Sequence, residues 1–221
     1  MNVIVERIIC LVLGYVFGLF QTGYLLGKIK GVDIRKQGSG NAGTTNVMRV
    51  MGKKAGVLTY VGDFLKALLA SVLTRLVFGN SEVEITVLVL FAGMGVILGH
   101  NFPFFMKFKG GKGIAATSGV IFSLFDWKLI VLGIIVFAGA TMITKYVSVG
   151  SLSMVTGFLI EFIVFTQVGW MGEFSKASMN FKIEAFIIAF IFAALAYFQH
   201  RENISRLIKG NERKVGQKKE E

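Results

Sequence analysis

The chain has 221 residues, of which 54% are hydrophobic and 17% are charged, and its mean hydropathy is +0.67. In an ordinary soluble domain roughly 25% of residues are charged, so this composition excludes that class of protein. One cysteine and two histidines exclude a disulfide framework and predict neither a metal site nor a cofactor. Seventeen of the 24 lysines and arginines lie in residues 28–54, 107–112 and 201–219, beside apolar segments. The net charge of +11 therefore indicates a membrane surface or an anionic small substrate rather than nucleic acid.

Seven apolar segments are predicted to cross the membrane. A crossing helix needs about 20 mostly apolar residues to cover about 30 Å of hydrocarbon. The first segment is long for a signal peptide and no small-residue cleavage site follows it, so we interpret it as a retained span. The predicted spans are Val3–Leu26, Ala55–Phe78, Ile85–Phe105, Ile114–Phe125, Leu129–Thr144, Val149–Trp170 and Glu184–Gln199.

The basic stretches predict the orientation of these spans. Cytoplasmic loops of membrane proteins are enriched in lysine and arginine, so all three stretches are expected on the cytoplasmic side, with an even number of spans between neighbours. Four spans between the second and third stretches require a break at Asp126–Lys128. The expected fold is all-α: one integral-membrane domain, residues 1–221, with seven transmembrane helices, the amino terminus outside and the carboxyl terminus in the cytoplasm.

The first cytoplasmic loop contains a glycine-rich polar motif. Glycines permit close backbone approach, so that successive N–H groups can face an anion, and the planar guanidinium of Arg49 matches a phosphate or carboxylate. A flexible linker would explain the glycines alone, but the density of Asn and Thr favours a binding loop. The motif is not a P-loop, because no Lys-Ser/Thr pair follows its glycines. Its candidate residues are Gly38, Ser39, Gly40, Asn41, Thr45, Asn46 and Arg49.

The second cytoplasmic loop runs from Gly99 to Gly113. A helix is expected to end near Pro103, with aromatic residues at headgroup level, and a glycine turn then presents Lys112. The next predicted helix begins directly after this turn, and a helix N-terminus is a natural anion site. Lys107 and Lys109 are interpreted as ordinary snorkelling lysines. The candidate residues are His100, Gly110, Gly111, Lys112 and Gly113.

The third motif, His-Arg-Glu-Asn, follows the last span. His200 and Asn203 are three residues apart and share one face of a helix. The histidine is a candidate general base, and the asparagine amide is a candidate donor to developing negative charge. A basic helix attracted to anionic lipid would explain the charges of the tail, but not this pair.

Three charged residues, Asp63, Lys66 and Glu161, lie near the middle of predicted spans. Asp63 and Lys66 are three residues apart and are expected to pair, and both a functional and a purely structural role remain open for them. Glu161 has no partner close in sequence. A serine-based triad is rejected, because the chain has no G-x-S-x-G sequence.

Taken together, the three motifs resemble those of the PlsY family, the bacterial integral-membrane acyl-phosphate:glycerol-3-phosphate acyltransferases, over nearly the whole chain. The segments Asp63–Lys66 and Lys145–Ser148 also resemble family segments, although the family usually has arginine at position 145 and often alanine at position 44. The resemblance implies transfer of an acyl chain from acyl-phosphate to position 1 of glycerol 3-phosphate, giving lysophosphatidic acid and phosphate. This is the first acylation step of bacterial phospholipid synthesis, at the cytoplasmic side of the cell membrane.

The resemblance also implies roles for the candidate residues. Acyl-phosphate is an activated mixed anhydride, so direct attack by the glycerol hydroxyl needs no covalent nucleophile, and no part is expected for Cys10. Either His200 or a phosphate oxygen of the substrate would accept the proton. The catalytic candidates are Ser39, Arg49, Lys112, His200 and Asn203, and the substrate-binding candidates include, besides the other residues of the first two motifs, Ser148, Ser151 and Glu202.

The expected partners are acyl-phosphate, glycerol 3-phosphate, membrane lipid and a peripheral enzyme that forms acyl-phosphate.

A transporter of organic phosphates would also need basic loops, but it would place more polar groups and helix breaks in mid-span. A soluble-type acyltransferase would need an H-x-x-x-x-D pair, whereas Phe105 and Ser205 follow the two histidines at that distance. A retinal protein would need a lysine in the last span. A purely structural lipid-surface protein is the remaining alternative.

Overall fold

The structure, a computed structural model, describes residues 2–216. All regular elements within this range are helical: ten α-helices and three short 3₁₀ helices. The 3₁₀ helices are Ile34–Lys36, Phe104–Met106 and Gly172–Lys176. The α-helices are α1 (Val3–Gly18), α2 (Thr22–Ile29), α3 (Thr44–Met51), α4 (Lys53–Phe78), α5 (Ile85–Asn101), α6 (Ile114–Ser123), α7 (Trp127–Thr144), α8 (Val147–Gln167), α9 (Met179–Gln199) and α10 (Arg201–Ile208).

Six helical segments within residues 2–216 are long and apolar enough to cross a membrane, so the all-α membrane architecture is confirmed at that level. The fourth predicted span, Ile114–Phe125, forms the helix α6, whose 10 residues are about 15 Å long and fall short of a full crossing by themselves. The six segments are Val3–Ile29, Lys53–Phe78, Ile85–Met106, Trp127–Thr144, Val147–Gln167 and Met179–Gln199.

The expected interruption between α6 and α7 is present. Asp126 is the N-cap of α7, and its carboxylate accepts hydrogen bonds from the backbone N–H groups of Lys128 at 2.9 Å and Leu129 at 3.3 Å. A side-chain oxygen at this position satisfies donors that have no partner within the helix. The charged residues therefore start a helix rather than interrupting one.

The first predicted span is broken at Leu19–Gln21. Gln21 Nε2 donates a hydrogen bond to the carbonyl of Gly18 at 3.1 Å, and Lys66 Nζ donates to the carbonyl of Phe20 at 2.6 Å. One side chain from the break itself and one from α4 thus satisfy carbonyl groups that a continuous helix would have paired internally. This break separates α1 from the short helix α2, which hydropathy alone did not predict.

The helices α1 and α5 pack backbone to backbone through glycines. A Cβ atom at Gly14 would lie 1.9 Å from the carbonyl oxygen of Ala92, and one at Gly95 would lie 2.1 Å from that of Leu11. Gly18 and Gly99 repeat this arrangement one turn further along. Small residues let membrane helices approach closely, and van der Waals packing then holds them together.

Side-chain contacts define the end of the bundle where α1 begins. Arg7 near the start of α1 forms an ion pair with Glu184 of α9 at 2.5 Å, and Glu6 accepts a hydrogen bond from Ser81. Arg75 near the end of α4 donates to the carbonyl of Ser123 at 3.0 Å. The last turn of α6 therefore lies at this end. We call it the amino-terminal end.

The opposite end of the bundle contains all three polar motifs. Gly113, at the start of α6, lies beside Asn101 at the end of α5. The loop before α3 contacts this same turn, and α10 begins here. We call this end the motif end.

Replacing Gly95 with alanine is expected to destabilise the protein, because the new Cβ would overlap the Leu11 carbonyl and force α1 and α5 apart. Overpacking of this kind costs about 1–3 kcal/mol. Thermal unfolding in detergent should show a lower Tm for Gly95→Ala. The control is Gly133→Ala in α7, where a Cβ meets nothing within 4 Å. Equal Tm values for the two variants would contradict the close-packed interface.

Candidate active site

The first polar loop is organised around the buried side chain of Asn46. Its Oδ1 accepts a hydrogen bond from the Ser39 N–H at 2.8 Å, and its Nδ2 donates to the carbonyls of Gln37 at 3.0 Å and Asn41 at 2.9 Å. Gly38 has a φ of +64°, and a Cβ there would lie 2.2 Å from Asn46 Oδ1. These hydrogen bonds of Asn46 stabilise the conformation of the loop. A direct contact between Asn46 and the substrate remains a prediction.

Three candidates of the first motif have exposed side chains at the motif end: Ser39, Thr45 and Arg49. The Arg49 guanidinium makes no hydrogen bond or ion pair with any residue in 2–216. Partial burial of the guanidinium, together with the positive charges of Arg213 and Arg206, lowers the pKa of Arg49, and Glu212 raises it. Arg49 is thus a cation among other charges with its donors available to an anion.

The second loop folds back onto the end of α5. The N–H of Gly110 donates to the Asn101 carbonyl at 3.0 Å, and the N–H of Gly111 donates to the His100 carbonyl at 3.1 Å. Asn41 Nδ2 donates to the Gly110 carbonyl at 3.1 Å and so joins the first loop to the second. The sequence predicted two anion-binding loops, and the structure places them in direct contact.

His100 lies under the second loop rather than on its surface. Its side chain is buried, and a Cβ at Gly111 would lie 2.0 Å from His100 Nε2. Its Nδ1 lies 2.8 Å from Lys66 Nζ, which also forms the expected ion pair with Asp63 at 2.8 Å. The observed contacts of His100 are with the loop and with this pair, and its direct contact with substrate remains a prediction.

Lys112 projects from the second loop to the third motif. Its ammonium donates a hydrogen bond to Asn203 Oδ1 in α10. Asn203 Nδ2 in turn donates to Glu212 Oε1 at 2.6 Å. Lys112 and Asn203, far apart in the chain and predicted to act together, are therefore in contact.

Glu212, together with its partner Arg206, belongs to this site but was not among the candidates that the sequence predicted. Besides Asn203, its carboxylate accepts hydrogen bonds from Ser148 Oγ at 3.1 Å and from Arg206 Nε at 2.6 Å. The carboxylate thus connects α8, α10 and the chain that follows α10. The only sequence signal was an acidic residue in a strongly basic tail.

Two site residues have pKa values lowered chiefly by burial. Burial lowers the pKa of Lys112 to about 8; the charges of Arg206 and Arg49 lower it too, while Glu212 and Glu202 raise it. Burial and the neighbouring Lys112 charge lower the pKa of His200 to about 4, so this imidazole is neutral at pH 7. His200 Nδ1 lies 2.8 Å from the Ala196 carbonyl and donates to it, which makes Nε2 the accepting nitrogen.

Two other candidates lie outside this hydrogen-bonded network. The Ser151 hydroxyl donates to the Val147 carbonyl of its own helix at 2.8 Å, which is an ordinary helix contact. Glu202 is exposed and lies 4.0 Å from Arg206. Of the two serines predicted at the start of α8, only Ser148 contacts the network directly.

Charge substitutions around Lys112 should shift its pKa in opposite directions. Arg206→Met removes a positive charge and should raise the pKa of Lys112 above about 8, whereas Glu212→Gln removes a negative charge and should lower it. The rate at which an amine-specific reagent modifies Lys112, followed against pH by mass spectrometry, measures both shifts. Glu173→Gln at the amino-terminal end is the control and should cause no shift. Shifts of the same sign for the two site variants would contradict this electrostatic arrangement.

Comparisons with known proteins identify the family. The family model described as "Glycerol-3-phosphate acyltransferase" matches residues 8–210. Proteins named glycerol-3-phosphate acyltransferase from Thermoanaerobacter pseudethanolicus and Clostridioides difficile are 40% and 38% identical to this chain. The alignments cover 95% of this chain and 96% of the first relative, and 98% of this chain and 99% of the second.

A solved structure has the same fold. The crystal structure of PlsY, an integral membrane glycerol 3-phosphate acyltransferase, in its glycerol 3-phosphate form superimposes with a TM-score of 0.79 at 32% identity, covering 95% of this chain and 96% of that one. Its lysophosphatidic acid form gives a TM-score of 0.77. The chain belongs to the glycerol-3-phosphate acyltransferase (PlsY) family of integral membrane enzymes.

Proposed function

We propose that this protein transfers an acyl chain from acyl-phosphate to position 1 of glycerol 3-phosphate, forming lysophosphatidic acid and phosphate. The observation that carries the proposal is the meeting of the three polar motifs at one end of a membrane helix bundle, where Arg49, Lys112 and Arg206 surround a small set of polar groups. The PlsY structures that share this fold are described as glycerol 3-phosphate and lysophosphatidic acid forms, an acceptor and a product of this reaction.

Two phosphate groups have to be held in the reaction, and the site has cations of two kinds. Arg49 presents a guanidinium fork that fits phosphate oxygens in a bidentate manner, with the exposed Ser39 on the neighbouring loop. Lys112, with a pKa of about 8, is mostly charged at pH 7 and acts as a compact positive charge. Together they bind the phosphate of glycerol 3-phosphate, the contact in which Lys112 takes part, and stabilise the phosphate that leaves from the acyl donor.

The acceptor hydroxyl attacks the acyl carbonyl, the bond between the carbonyl carbon and the phosphate oxygen breaks, and the hydroxyl proton passes to a base. A phosphate monoester has a second pKa of about 6, whereas the pKa of His200 is about 4, so a substrate phosphate oxygen is the stronger base. We assign the proton to that oxygen. His200 then orients the acceptor through Nε2.

Asn203 is best explained as a positioning residue. Both ends of its amide are engaged, Oδ1 by Lys112 and Nδ2 by Glu212. The amide therefore fixes the Lys112 ammonium relative to the Glu212 carboxylate. Ser148 and Arg206 hold that carboxylate in turn.

An open cavity on α8 and α9, lined by two apolar side chains and by the hydroxyl-bearing Ser153, Thr156 and Tyr197, starts beside the site, and we assign the acyl chain to it. It has a volume of about 430 Å³, within the range of about 300–1,000 Å³ that is typical of ligand pockets. Its walls come from α8 and α9, starting at Val149, next to Ser148, and including Tyr197, three residues before His200. Thr156 and Tyr197 line it and share a hydrogen bond of 3.1 Å between their hydroxyls.

We further propose seven membrane crossings with the motif end in the cytoplasm of a bacterial cell. Although α6 is short, its N-cap residue Gly113 adjoins Asn101 at the motif end, and its last residue, Ser123, lies beside Arg75 at the amino-terminal end. Lysines and arginines are concentrated at the motif end, as expected for the cytoplasmic side. On this side a peripheral acyl-phosphate-forming enzyme would supply the donor.

The donor is tested with purified protein in lipid vesicles, given palmitoyl-phosphate or palmitoyl-CoA with and without glycerol 3-phosphate. We expect phosphate release that requires glycerol 3-phosphate and yields lysophosphatidic acid, and no product from palmitoyl-CoA. Arg49→Lys should lower kcat/KM by about 10-fold or more, because a bidentate contact is lost. The control is Arg35→Lys, at a residue paired with Asp33. Lysophosphatidic acid formed from palmitoyl-CoA but not from palmitoyl-phosphate would overturn the proposal. Uptake of glycerol 3-phosphate into the vesicles without formation of lysophosphatidic acid would also overturn it.

Filling the cavity should discriminate against long acyl donors. Thr156→Trp places a bulky side chain about 12 Å from Ser148 along α8, since the two residues are eight positions apart. We expect kcat/KM for palmitoyl-phosphate to fall, while that for butyryl-phosphate stays within about twofold of the unaltered enzyme. The control is Ile134→Trp, an exposed position on α7. Equal losses for both donors would contradict an acyl chain in this cavity.

A further inference from the structure

A buried polar cluster within the membrane-spanning helices lies directly beneath the second loop. Asp63, Lys66 and His100 are at most 4% exposed. The Lys66 ammonium lies 2.8 Å from both Asp63 Oδ1 and His100 Nδ1. A buried ion pair is often no more stable than apolar residues of similar volume, and ionisable groups in a membrane usually serve a function. The cluster therefore calls for an explanation beyond packing.

The lysine fixes the state of the histidine ring. An ammonium group has donors and no acceptor, so the contact between Lys66 Nζ and His100 Nδ1 makes Nδ1 the acceptor. The ring proton then sits on Nε2, which is the atom that faces Gly111. Asp63 Oδ1, 3.7 Å from Nδ1, keeps the ammonium in place by accepting its hydrogen bond.

The histidine in turn fixes the backbone that carries Lys112. Gly111 has no room for a side chain, since a Cβ would lie 2.0 Å from His100 Nε2, and its N–H donates to the His100 carbonyl at 3.1 Å. The next residue is Lys112, whose ammonium reaches Asn203. A shift of the His100 ring therefore moves the backbone from which Lys112 projects.

The same cluster holds the chain that leads into the first loop. Lys66 Nζ also donates to the Phe20 carbonyl at 2.6 Å, and Thr22 Oγ1 donates to Asp63 Oδ1 at 3.1 Å. Phe20 lies in the break between α1 and α2, and Thr22 is the first residue of α2. The ion pair thus contacts the supports of both phosphate-binding loops.

We propose that Asp63 and Lys66 are positioning residues for the reaction, which hold the Gly110–Lys112 turn in its phosphate-binding geometry through His100. This inference rests on the proposed function, since it takes Lys112 to bind the phosphate of glycerol 3-phosphate. The pair acts at a distance from the substrate: Lys66 holds His100, and His100 holds Gly111.

Direct binding of glycerol 3-phosphate, measured by calorimetry in detergent, tests this coupling without a donor. The variant Asp63→Asn/Lys66→Met removes both charges together, so that no unpaired charge is left in the membrane. We expect its Kd to rise about 10-fold or more, because small displacements of a binding group are costly. His100→Ala should have a similar effect. Combining all three substitutions should weaken binding no further than His100→Ala alone, because coupled residues are not additive.

The matched control is Arg7→Met/Glu184→Gln, which neutralises the ion pair at the amino-terminal end and should change Tm without changing Kd. A folded Asp63→Asn/Lys66→Met protein with a Kd within about twofold of the unaltered chain, or effects that multiply in the triple variant, would overturn the proposal. If the unaltered protein binds no glycerol 3-phosphate, the proposed function fails instead.

A second route does not require replacing the ion pair. Gly111→Ala should weaken binding, because its methyl group collides with the His100 ring. Adding His100→Ala removes the collision, so the double variant should bind about as weakly as His100→Ala alone. A loss of affinity in the double variant equal to the product of the two single losses would show that the ring does not control the turn and would overturn the proposal.

Discussion

The carbonyl groups left free where α1 ends impose the constraint on which the arrangement of the site depends. Inside a membrane an unpaired backbone carbonyl is costly, because no water is present to satisfy it. Here the Gln21 amide and the Lys66 ammonium supply the missing donors, to Gly18 and Phe20 respectively. The chain can therefore leave the helix early, form α2 and enter the first loop beside the second. Lys66, a charged residue in the middle of α4, thus allows the chain to change direction between α1 and α2 within the membrane.

The reaction proposed here joins a water-soluble phosphate ester to an apolar chain, and the fold separates the two requirements in space. Cationic and polar side chains gather at the motif end, whereas the cavity between α8 and α9 starts at the same level and continues along apolar helices. Close glycine packing of α1 on α5 brings the loops that follow both helices to one place. Lys112 on the second loop and Arg49 after the first can then act on one pair of substrates.

Local sequence patterns predicted the three motifs and the pairing of Asp63 with Lys66, because each depends on composition or spacing along one segment. The break at Asp126–Lys128 was predicted from the even number of spans required between two basic stretches. The break after Gly18 escaped prediction, since its cause is a lysine more than forty residues away. Glu212 was missed for the same reason: its importance comes from Ser148, Asn203 and Arg206, which reach it from two helices. The proposed crossing by α6 cannot be judged from its length alone, and the proposal rests on the contacts at its two ends instead.

The charges around Lys112 also link substrate binding to protonation. Burial and the guanidinium groups of Arg206 and Arg49 disfavour its charged form, while Glu212 and Glu202 favour it, and the balance leaves the pKa of Lys112 near 8. A phosphate bound beside the ammonium adds negative charge and raises that pKa, so the lysine is held charged most firmly when an anion is present. When inorganic phosphate leaves, the neighbouring guanidinium groups again oppose the charge on Lys112. In the proposed reaction these closely spaced cations bind a phosphate ester at the membrane surface, and the nearby carboxylates offset the repulsion between the cations when no phosphate is bound.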